Sequence, residues 1–294
     1  MKLPTFLIVG VQKAGTTSIY NYLEKHPQVY MSPVKETNFL EKDWSTVENA
    51  HKNKNGILTI EDYGKLFEGL TDEIAIGEAS PNYLFHYESS AARIGQYVPD
   101  AKLIAVLRNP VERAYSDYLM HVRDAINYRP LTEQIEHSAH KSFILRKGFY
   151  YTQVKYYLDK FSREQFKVFL YDDLRQDSLK FMQSMYRYIG VDDTFNVDTS
   201  KKVQTAKVPK NQTINNLLQR DNPIRSLAAN TLKTIMPLET RQKIRDRLIN
   251  LNSKSKKEAP LAPETRQKLV ELYREDILKL QDLIQQDLSA WFEN

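Results

Sequence analysis

The sequence predicts an α/β fold in which helices flank a central parallel β-sheet. Two observations support this prediction. Short apolar runs recur along the first part of the chain, and each is followed by turn residues and then by the apolar periodicity of a helix. Strands that alternate with helices form βαβ units, and such units build parallel sheets. The last part of the chain is mostly helical in pattern, so we expect a helical C-terminal part.

Each expected element follows from its local pattern. The apolar runs that predict buried strands are residues 5–9, 74–76, 103–107 and 167–171. Helices are expected at residues 19–26, near 89–97 and from Pro110 to about residue 123, because proline suits the first turn of a helix. Amphipathic periodicity predicts two further helices, at residues 176–189 and 263–292. Residues 42–70 are polar and irregular, which indicates an insertion on the substrate side of the sheet.

Length and composition are those of a soluble globular protein. The chain has 294 residues, 41% of them hydrophobic and 27% charged, and we expect residues 1–294 to form one domain. The sequence has no cysteine, which excludes disulfides, thiolate metal sites and cysteine nucleophiles. The apolar run at residues 6–9 is too short for a signal peptide or a membrane span. We therefore expect a cytoplasmic protein, in which the sequon at Asn211 has no role.

The charge balance favours anionic ligands without indicating nucleic acid. There are 42 basic and 37 acidic residues, a net charge of +5. The sequence shows no zinc finger, aromatic RNA-binding signature or long basic arm, so we expect no nucleic-acid partner. It also has no His-Glu-x-x-His motif and no clustered His and Asp residues, so we expect no metal.

A glycine loop follows the first expected strand. Residues 10–18 read Gly-Val-Gln-Lys-Ala-Gly-Thr-Thr-Ser, and a helical pattern begins at once. Glycines let the backbone approach a ligand closely, and the first N–H groups of a helix lack intrahelical partners and point toward an anion. In the Walker A loop of ATPases and kinases the lysine comes after the last glycine. Here Lys13 comes before Gly15, which argues against an ordinary ATPase or kinase.

A second anion motif follows the third expected strand. That strand ends at Arg108, and Ser116 lies eight residues later on the expected helix. P-loop NTPases place an acidic residue at the corresponding strand end, where it helps to hold Mg²⁺. Open α/β sheets bind ligands at the carboxyl ends of their strands, and a guanidinium fork there matches phosphate. This strand end therefore favours an anion over a metal.

Together these motifs resemble those of sulfotransferases that use 3′-phosphoadenosine 5′-phosphosulfate (PAPS). Further stretches are similar to bacterial and glycan-type members: residues 35–39 (Lys-Glu-Thr-Asn-Phe), 77–83, 148–153, 171–174 and 287–291. The resemblance therefore spans nearly the whole chain. It implies the P-loop-containing nucleotide-binding fold of the sulfotransferase type.

The resemblance also implies a reaction and roles for individual residues. A sulfuryl group would pass from PAPS to a hydroxyl acceptor, such as a carbohydrate, and adenosine 3′,5′-bisphosphate would be released without a metal. Lys13 would stabilise charge at the bridging oxygen and Glu36 would act as the general base. The 3′-phosphate would be held by Arg108 and Ser116, with Lys207 or Lys210 near it. The residues implied to cradle the 5′-phosphate are Ala14, Gly15, Thr16, Thr17 and Ser18.

One departure leaves the acceptor open. Glycan 3-O-type enzymes carry a lysine directly after the glutamate that matches Glu78, and this chain has Ala79 there. A sugar, a lipid, a polyketide hydroxyl and a phenol all remain candidate acceptors. Glu78, His86 and His121 are the alternative candidates for the base.

Two other functions stay open at the level of sequence. A P-loop kinase of a small molecule would require Mg²⁺ and tight ATP binding. A non-catalytic binder of anionic glycans would bind heparin and not PAPS.

Overall fold

The computed structural model describes residues 1–50, 53, 55–124, 126, 129–199, 207–209, 211, 253–255 and 260–293. The chain divides into two compact units. The first comprises Met1–Arg113, Lys147–Val203 and Tyr273–Glu293, and the second comprises Ala114–Arg146 and Gln204–Leu272. A single domain over residues 1–294 stays a prediction.

A five-stranded parallel sheet lies in the first unit. Its strands are β1 (Phe6–Gly10), β2 (Val29–Met31), β3 (Ala75–Ala79), β4 (Lys102–Leu107) and β5 (Phe166–Leu170). Their order across the sheet is β2-β3-β1-β4-β5, and every neighbouring pair is parallel. The predicted α/β fold with a central parallel sheet is therefore confirmed.

The strand order places a switch point beside β1. The chain runs from β1 out to β2, returns to β3, and then crosses to β4 on the other side of β1. In open α/β sheets the crevice at such a point, outside the carboxyl ends of the strands, is where ligands bind. The loops after β1, β3 and β4 therefore share one edge of the sheet.

The strands are buried because their apolar runs are continuous. All five residues of β1 are buried, and so are residues 103–107 of β4. Continuous apolar runs are typical of parallel strands covered on both faces. The four predicted strands lie within one to three residues of the observed ones. The edge strand β2 was not predicted, because three residues are too few to show a period.

Helices of the first unit follow the strands. They are α1 (Thr16–Leu23), α2 (Val47–Ala50), α3 (Ile60–Lys65), α4 (Tyr87–Tyr97), α8 (Tyr150–Lys160), α9 (Tyr171–Gln176) and α10 (Ser178–Ile189). The prediction of an irregular stretch at residues 42–70 was wrong where α2 and α3 form. Thr59 and Asp62 make a capping box at the start of α3, a local signal that the polar composition concealed.

The second unit holds α6 (Leu131–Ser138) and α7 (Phe143–Arg146). It also holds an antiparallel pair of short strands, β6 (Lys207–Pro209) and β7 (Ser253–Ser255), with Lys207 opposite Ser255. Two helices have residues in both units: α5 (Pro110–Arg123) and α11 (Pro263–Ile284). The helix predicted for residues 263–292 ends early, since Gln285 takes a positive φ of 55° and a 3₁₀ turn follows at Ser289–Trp291.

Candidate active site

The glycine loop, residues 10–15, connects β1 to α1. Its backbone is anchored on the neighbouring strand, because the N–H of Val11 donates to the carbonyl of Val106 at 3.0 Å. Lys13 and Gly15 both have positive φ, 73° and 78°. Gly15 is the N-cap of α1 and has no side chain to cap the helix, and the first turn has no acidic residue. The first N–H groups of α1 are thus presented at the loop, as an anion cradle requires.

Gly15 is also required by its surroundings. A Cβ atom at this position would lie 2.9 Å from Leu174 Cδ2 and 2.9 Å from Tyr171 Cε2, both on α9. Together with the positive φ, this close approach explains why the loop has glycine here. In the sequence, the stretch 171–174 was noted only for its resemblance to family members. In the structure, its residues Tyr171 and Leu174 form the wall behind the loop.

Arg108 follows β4 and reaches the glycine loop. Its Nη1 donates to the carbonyl of Lys13 at 2.8 Å, and its Nη2 lies 3.5 Å from Glu112 Oε2. The guanidinium carbon lies 4.9 Å from the centroid of the Tyr171 ring, and the side chain is only 14% exposed. The structure thus places the Arg108 side chain against the glycine loop at the switch point.

Several residues that fix this arrangement were not singled out from the sequence. The Tyr150 hydroxyl donates to the carbonyl of Arg108 at 2.9 Å. The Asn109 amide donates to the carbonyl of Trp291 at 3.1 Å, and the Trp291 indole donates to Asp172 at 3.0 Å. Tyr150, Asp172 and Trp291 lie in the stretches 148–153, 171–174 and 287–291, respectively. Resemblance to family members was the only sequence signal for these stretches. The hydrogen bonds described above show how they hold Arg108 and Asn109 in place.

Lys147 is a further cation beside the glycine loop. Its Nζ donates to Gln12 Oε1 at 2.6 Å, and Gln12 immediately precedes Lys13. Nothing in the spacing of the sequence indicated this contact. Burial raises the pKa of Glu41 above its ordinary value, against the lowering effect of the charges of Lys42 and Lys147.

Glu36 lies on the segment after β2. Its backbone N–H donates to the carbonyl of Ala79 at the end of β3 (2.9 Å), and its φ is +61°. The carboxylate pairs with Lys35 Nζ at 2.7 Å and is 39% exposed. This ion pair leaves the carboxylate accessible.

A cavity of about 420 Å³ opens beside Glu36. Its lining is polar with one aromatic ring, from Lys35, Glu36, Thr37, Asn38, Trp44, Asn53 and Asn55. The Trp44 indole donates to the carbonyl of Asn38 at 2.7 Å, and the Asn55 amide donates to the carbonyl of Glu36 at 2.9 Å. The segment predicted as a substrate-side insertion, residues 42–70, therefore supplies part of the wall.

Glu78, an alternative candidate for the base, is fully buried at the end of β3. Burial raises its pKa to about 7, against the lowering effect of hydrogen bonds from Ser80, Tyr83 and Thr37. With no exposed surface, its carboxyl group is not placed to contact an acceptor directly.

The two candidate histidines have structural neighbours. His86 Nε2 lies 3.6 Å from Glu41 Oε1 in the first unit. In the second unit, His121 Nδ1 lies 2.8 Å from the carbonyl oxygen of Asp117 and 3.6 Å from its Oδ1. Neither arrangement singles out a histidine as the base.

All the predicted roles in donor binding stay predictions, including those of Ser116, Lys207 and Lys210. Ser116 is buried on α5 and belongs to the second unit, whereas Arg108 belongs to the first. Lys207 begins β6 in the second unit. Lys210 lies outside the described residues.

The described residues hold neither a metal-ligand cluster nor a membrane-spanning helix. Within these ranges, no group of three or more His, Asp or Glu side chains is arranged to hold a metal ion. No helix among them is both long and apolar enough to cross a membrane.

Known proteins are similar to this chain in sequence. A sequence model of the sulfotransferase family matches residues 4–195. The bifunctional heparan sulfate N-deacetylase/N-sulfotransferase 4 of Mus musculus is 30% identical over 206 residues, which cover 66% of this chain and 23% of that protein. Carbohydrate sulfotransferase 15 of Mus musculus is 33% identical over 151 residues, 40% of this chain and 27% of that protein. The chain thus spans about a quarter of the length of these curated relatives.

A solved structure matches over the whole length. The crystal structure of a sulfotransferase from Alicyclobacillus acidocaldarius superimposes with a TM-score of 0.71 and 29% sequence identity, covering 99% of each chain. The family match covers well over half of the chain and includes both anion motifs. The resemblance predicted from those motifs is confirmed: this chain belongs to the sulfotransferase family and is an enzyme of that family.

Proposed function

We propose that this enzyme transfers a sulfuryl group from PAPS to a hydroxyl group of a carbohydrate and releases adenosine 3′,5′-bisphosphate. The observation that carries the proposal is the hydrogen bond from Arg108 to the carbonyl of Lys13. It joins a cation at a strand end to a glycine loop at a helix N-terminus, so one nucleotide with phosphates at two positions can contact both.

The two parts of the donor site take different phosphates. The N–H groups at residues 14–18 cradle the 5′-phosphate, where the helix dipole favours negative charge. Arg108 binds the 3′-phosphate with its guanidinium fork, oriented by the ring of Tyr171 and by Glu112. The resemblance to the family also assigns Ser116, Lys207 and Lys210 to binding of the 3′-phosphate.

The proposed transfer step needs no metal. The acceptor oxygen attacks sulfur and forms a new S–O bond, while the bond from sulfur to the bridging phosphate oxygen breaks. The electron pair of that bond stays on the 5′-phosphate, where Lys13 stabilises the developing charge. The acceptor proton passes to the Glu36 carboxylate, which is exposed to the cavity.

The cavity beside Glu36 supports a polar acceptor. Three asparagines, Lys35 and Trp44 contribute amide, ammonium and indole groups to its lining. Such groups match the hydroxyls and the apolar faces of a sugar better than they match a lipid chain. The names of the relatives, which act on heparan sulfate and other carbohydrates, point to the same class.

The experiment is a transfer assay with PAPS that carries radioactive sulfur. The enzyme is incubated with a panel of oligosaccharides, a phenol and a lipid alcohol, in EDTA, and a parallel arm contains radioactive ATP with Mg²⁺. We expect label from PAPS in an oligosaccharide and full activity in EDTA. Transfer of phosphate from ATP would support a kinase instead. Heparin binding without PAPS binding would support a non-catalytic glycan binder.

A further inference from the structure

The segment that carries Glu36 is held in an unusual conformation. Glu36 and Asn38 both have left-handed backbone angles, with φ of 61° and 52°. Residues other than glycine rarely adopt this region, and they keep it only where the surroundings enforce it. The contacts that enforce it here identify what positions Glu36.

The main contacts come from Glu78. Its Oε1 accepts hydrogen bonds from the Thr37 hydroxyl (3.2 Å) and from the Ser80 hydroxyl (2.5 Å). Each hydroxyl then accepts from the backbone of the segment: Ser80 Oγ from the N–H of Asn38 at 3.0 Å, and Thr37 Oγ1 from the N–H of Phe39 at 3.3 Å. One carboxylate therefore orients two hydroxyl groups. These hydroxyl groups in turn accept hydrogen bonds from the consecutive backbone amides of Asn38 and Phe39.

Two further hydrogen bonds extend the same attachment. The Tyr83 hydroxyl accepts from the N–H of Leu40 at 3.1 Å, and it lies 3.3 Å from Thr37 Oγ1. The N–H of Glu36 donates to the carbonyl of Ala79, the residue next to Glu78. The amides of Glu36, Asn38 and Leu40 are thus attached to the end of β3 and the turn that follows it.

Burial separates the roles of the two glutamates. Glu78, Ser80 and Tyr83 are fully buried and lie outside the cavity lining, whereas Glu36 lines the cavity and its side chain is 39% exposed. The two carboxyl groups still interact, since the charge of Glu36 adds to the burial that raises the pKa of Glu78. Glu78 can therefore act on the reaction only through the segment that it holds.

We propose that Glu78 is a positioning residue for the reaction, acting through Thr37 and Ser80 to hold Glu36 toward the acceptor cavity. The proposal rests on the proposed function of Glu36 as the general base. It assigns no contact with substrate to Glu78.

The test uses Thr37→Val, which removes the hydroxyl and keeps the shape of the side chain, in the transfer assay with the best acceptor. We expect kcat to fall on the order of 10–10²-fold, the scale of misplacing a catalytic group. The Kd of adenosine 3′,5′-bisphosphate should not change, because the network does not include the glycine loop. Thr37→Ser keeps the hydroxyl and should restore most of the turnover. Glu88→Gln, at an exposed glutamate on α4, removes a charge outside this network and is the matched control for Glu36→Gln.

A coupling measurement links the effect to Glu78. In a Glu78→Ala background, Thr37→Val should add little further loss, because the hydroxyl acts through the carboxylate. Melting temperatures identify a Glu78→Ala protein that fails to fold, and in that case the Thr37 pair alone decides.

The outcomes separate this proposal from the proposed function. Glu36→Gln is measured in parallel. Loss of turnover in Glu36→Gln together with wild-type turnover in Thr37→Val would overturn the positioning role alone. Full activity of Glu36→Gln would overturn the role of Glu36 as the base and the positioning role with it. Equal losses of turnover and of bisphosphate binding in Thr37→Val would show a general structural defect and would also overturn the positioning role.

Discussion

At the scale of single residues, the proposed mechanism gives Lys13 and Arg108 different roles in the donor site. Lys13 lies in the loop proposed to receive the 5′-phosphate, and Arg108 lies at the end of the neighbouring strand, hydrogen-bonded to the Lys13 carbonyl. The proposed transition state places its new charge on the bridging oxygen, beside Lys13. Removing Lys13 should therefore mainly affect kcat, and removing Arg108 should mainly affect the Kd of the nucleotide.

Lys13→Ala should lower kcat by roughly 10²–10³, the scale of losing one preorganised charge stabiliser. The Kd of adenosine 3′,5′-bisphosphate should change much less, because the loop N–H groups and Arg108 remain. Transfer assays and calorimetric titration measure the two constants separately. Wild-type turnover in this variant would remove Lys13 from the mechanism.

Residue types alone predicted this pair, and they did not predict its supports. A lysine before the last glycine and an arginine at a strand end are local signals. Tyr171 and Tyr150 support Arg108 from positions 63 and 42 residues further along the chain. Such contacts depend on how distant segments pack, and a sequence period does not encode them.

At the scale of elements, the site depends on short segments held in left-handed conformations. The glycine loop has a glycine where α9 approaches closely. The segment 36–40 is held by the hydroxyl groups that hydrogen-bond to Glu78. The strand, loop and helix around residues 6–23 were predictable because their signal is continuous in sequence. The link from Thr37 to Glu78 was not, since it joins residues 41 positions apart.

Gly15→Ala should abolish bisphosphate binding and lower the melting temperature. A Cβ there would lie 2.9 Å from two side chains of α9, in a backbone conformation that costs about 1–2 kcal/mol for other residues. Gly95→Ala on α4 is the matched control, since its Cβ would meet no atom within 4 Å. It should stabilise the protein by about 0.5–1 kcal/mol. Normal bisphosphate binding by Gly15→Ala would contradict the close packing of the loop.

A second element-scale contact makes stability depend on pH. Asp276 on α11 accepts from the N–H groups of Tyr150 (2.7 Å) and Tyr151 (3.2 Å) at the start of α8. Burial raises its pKa from 3.8 to about 6. As the pH rises through this window, the unfolded state loses the proton first, so the folded state is progressively destabilised relative to it.

Asp276→Asn removes this titration and keeps an acceptor oxygen. The free energy of unfolding of the wild-type enzyme, relative to that of the variant, should fall between about pH 4 and about pH 6 and then level off. Urea denaturation of both proteins across this range measures the difference. Parallel curves would mean that the carboxyl group of Asp276 titrates as it does in the unfolded chain.

At the scale of the whole molecule, the parallel sheet brings the site together from distant parts of the sequence. Lys13 and Arg108 are 95 residues apart, and Asn109 contacts Trp291 across 182 residues. Apolar runs predicted four of the strands and therefore the fold class. They did not predict the order β2-β3-β1-β4-β5, which places β1 between β3 and β4 and creates the switch point. Only the resemblance to a family placed Lys13 and Arg108 in one site before the structure showed the hydrogen bond between them.

The most direct test of the proposed donor site measures which nucleotide the folded enzyme binds. A ligand that binds only the folded state raises the melting temperature by mass action. Adenosine 3′,5′-bisphosphate should raise it strongly, in EDTA, whereas AMP and ATP with Mg²⁺ should do much less because neither has a 3′-phosphate. In Arg108→Ala the advantage of the bisphosphate over AMP should disappear. Equal shifts from AMP and the bisphosphate in the wild-type enzyme, or a larger shift from ATP with Mg²⁺, would contradict the account.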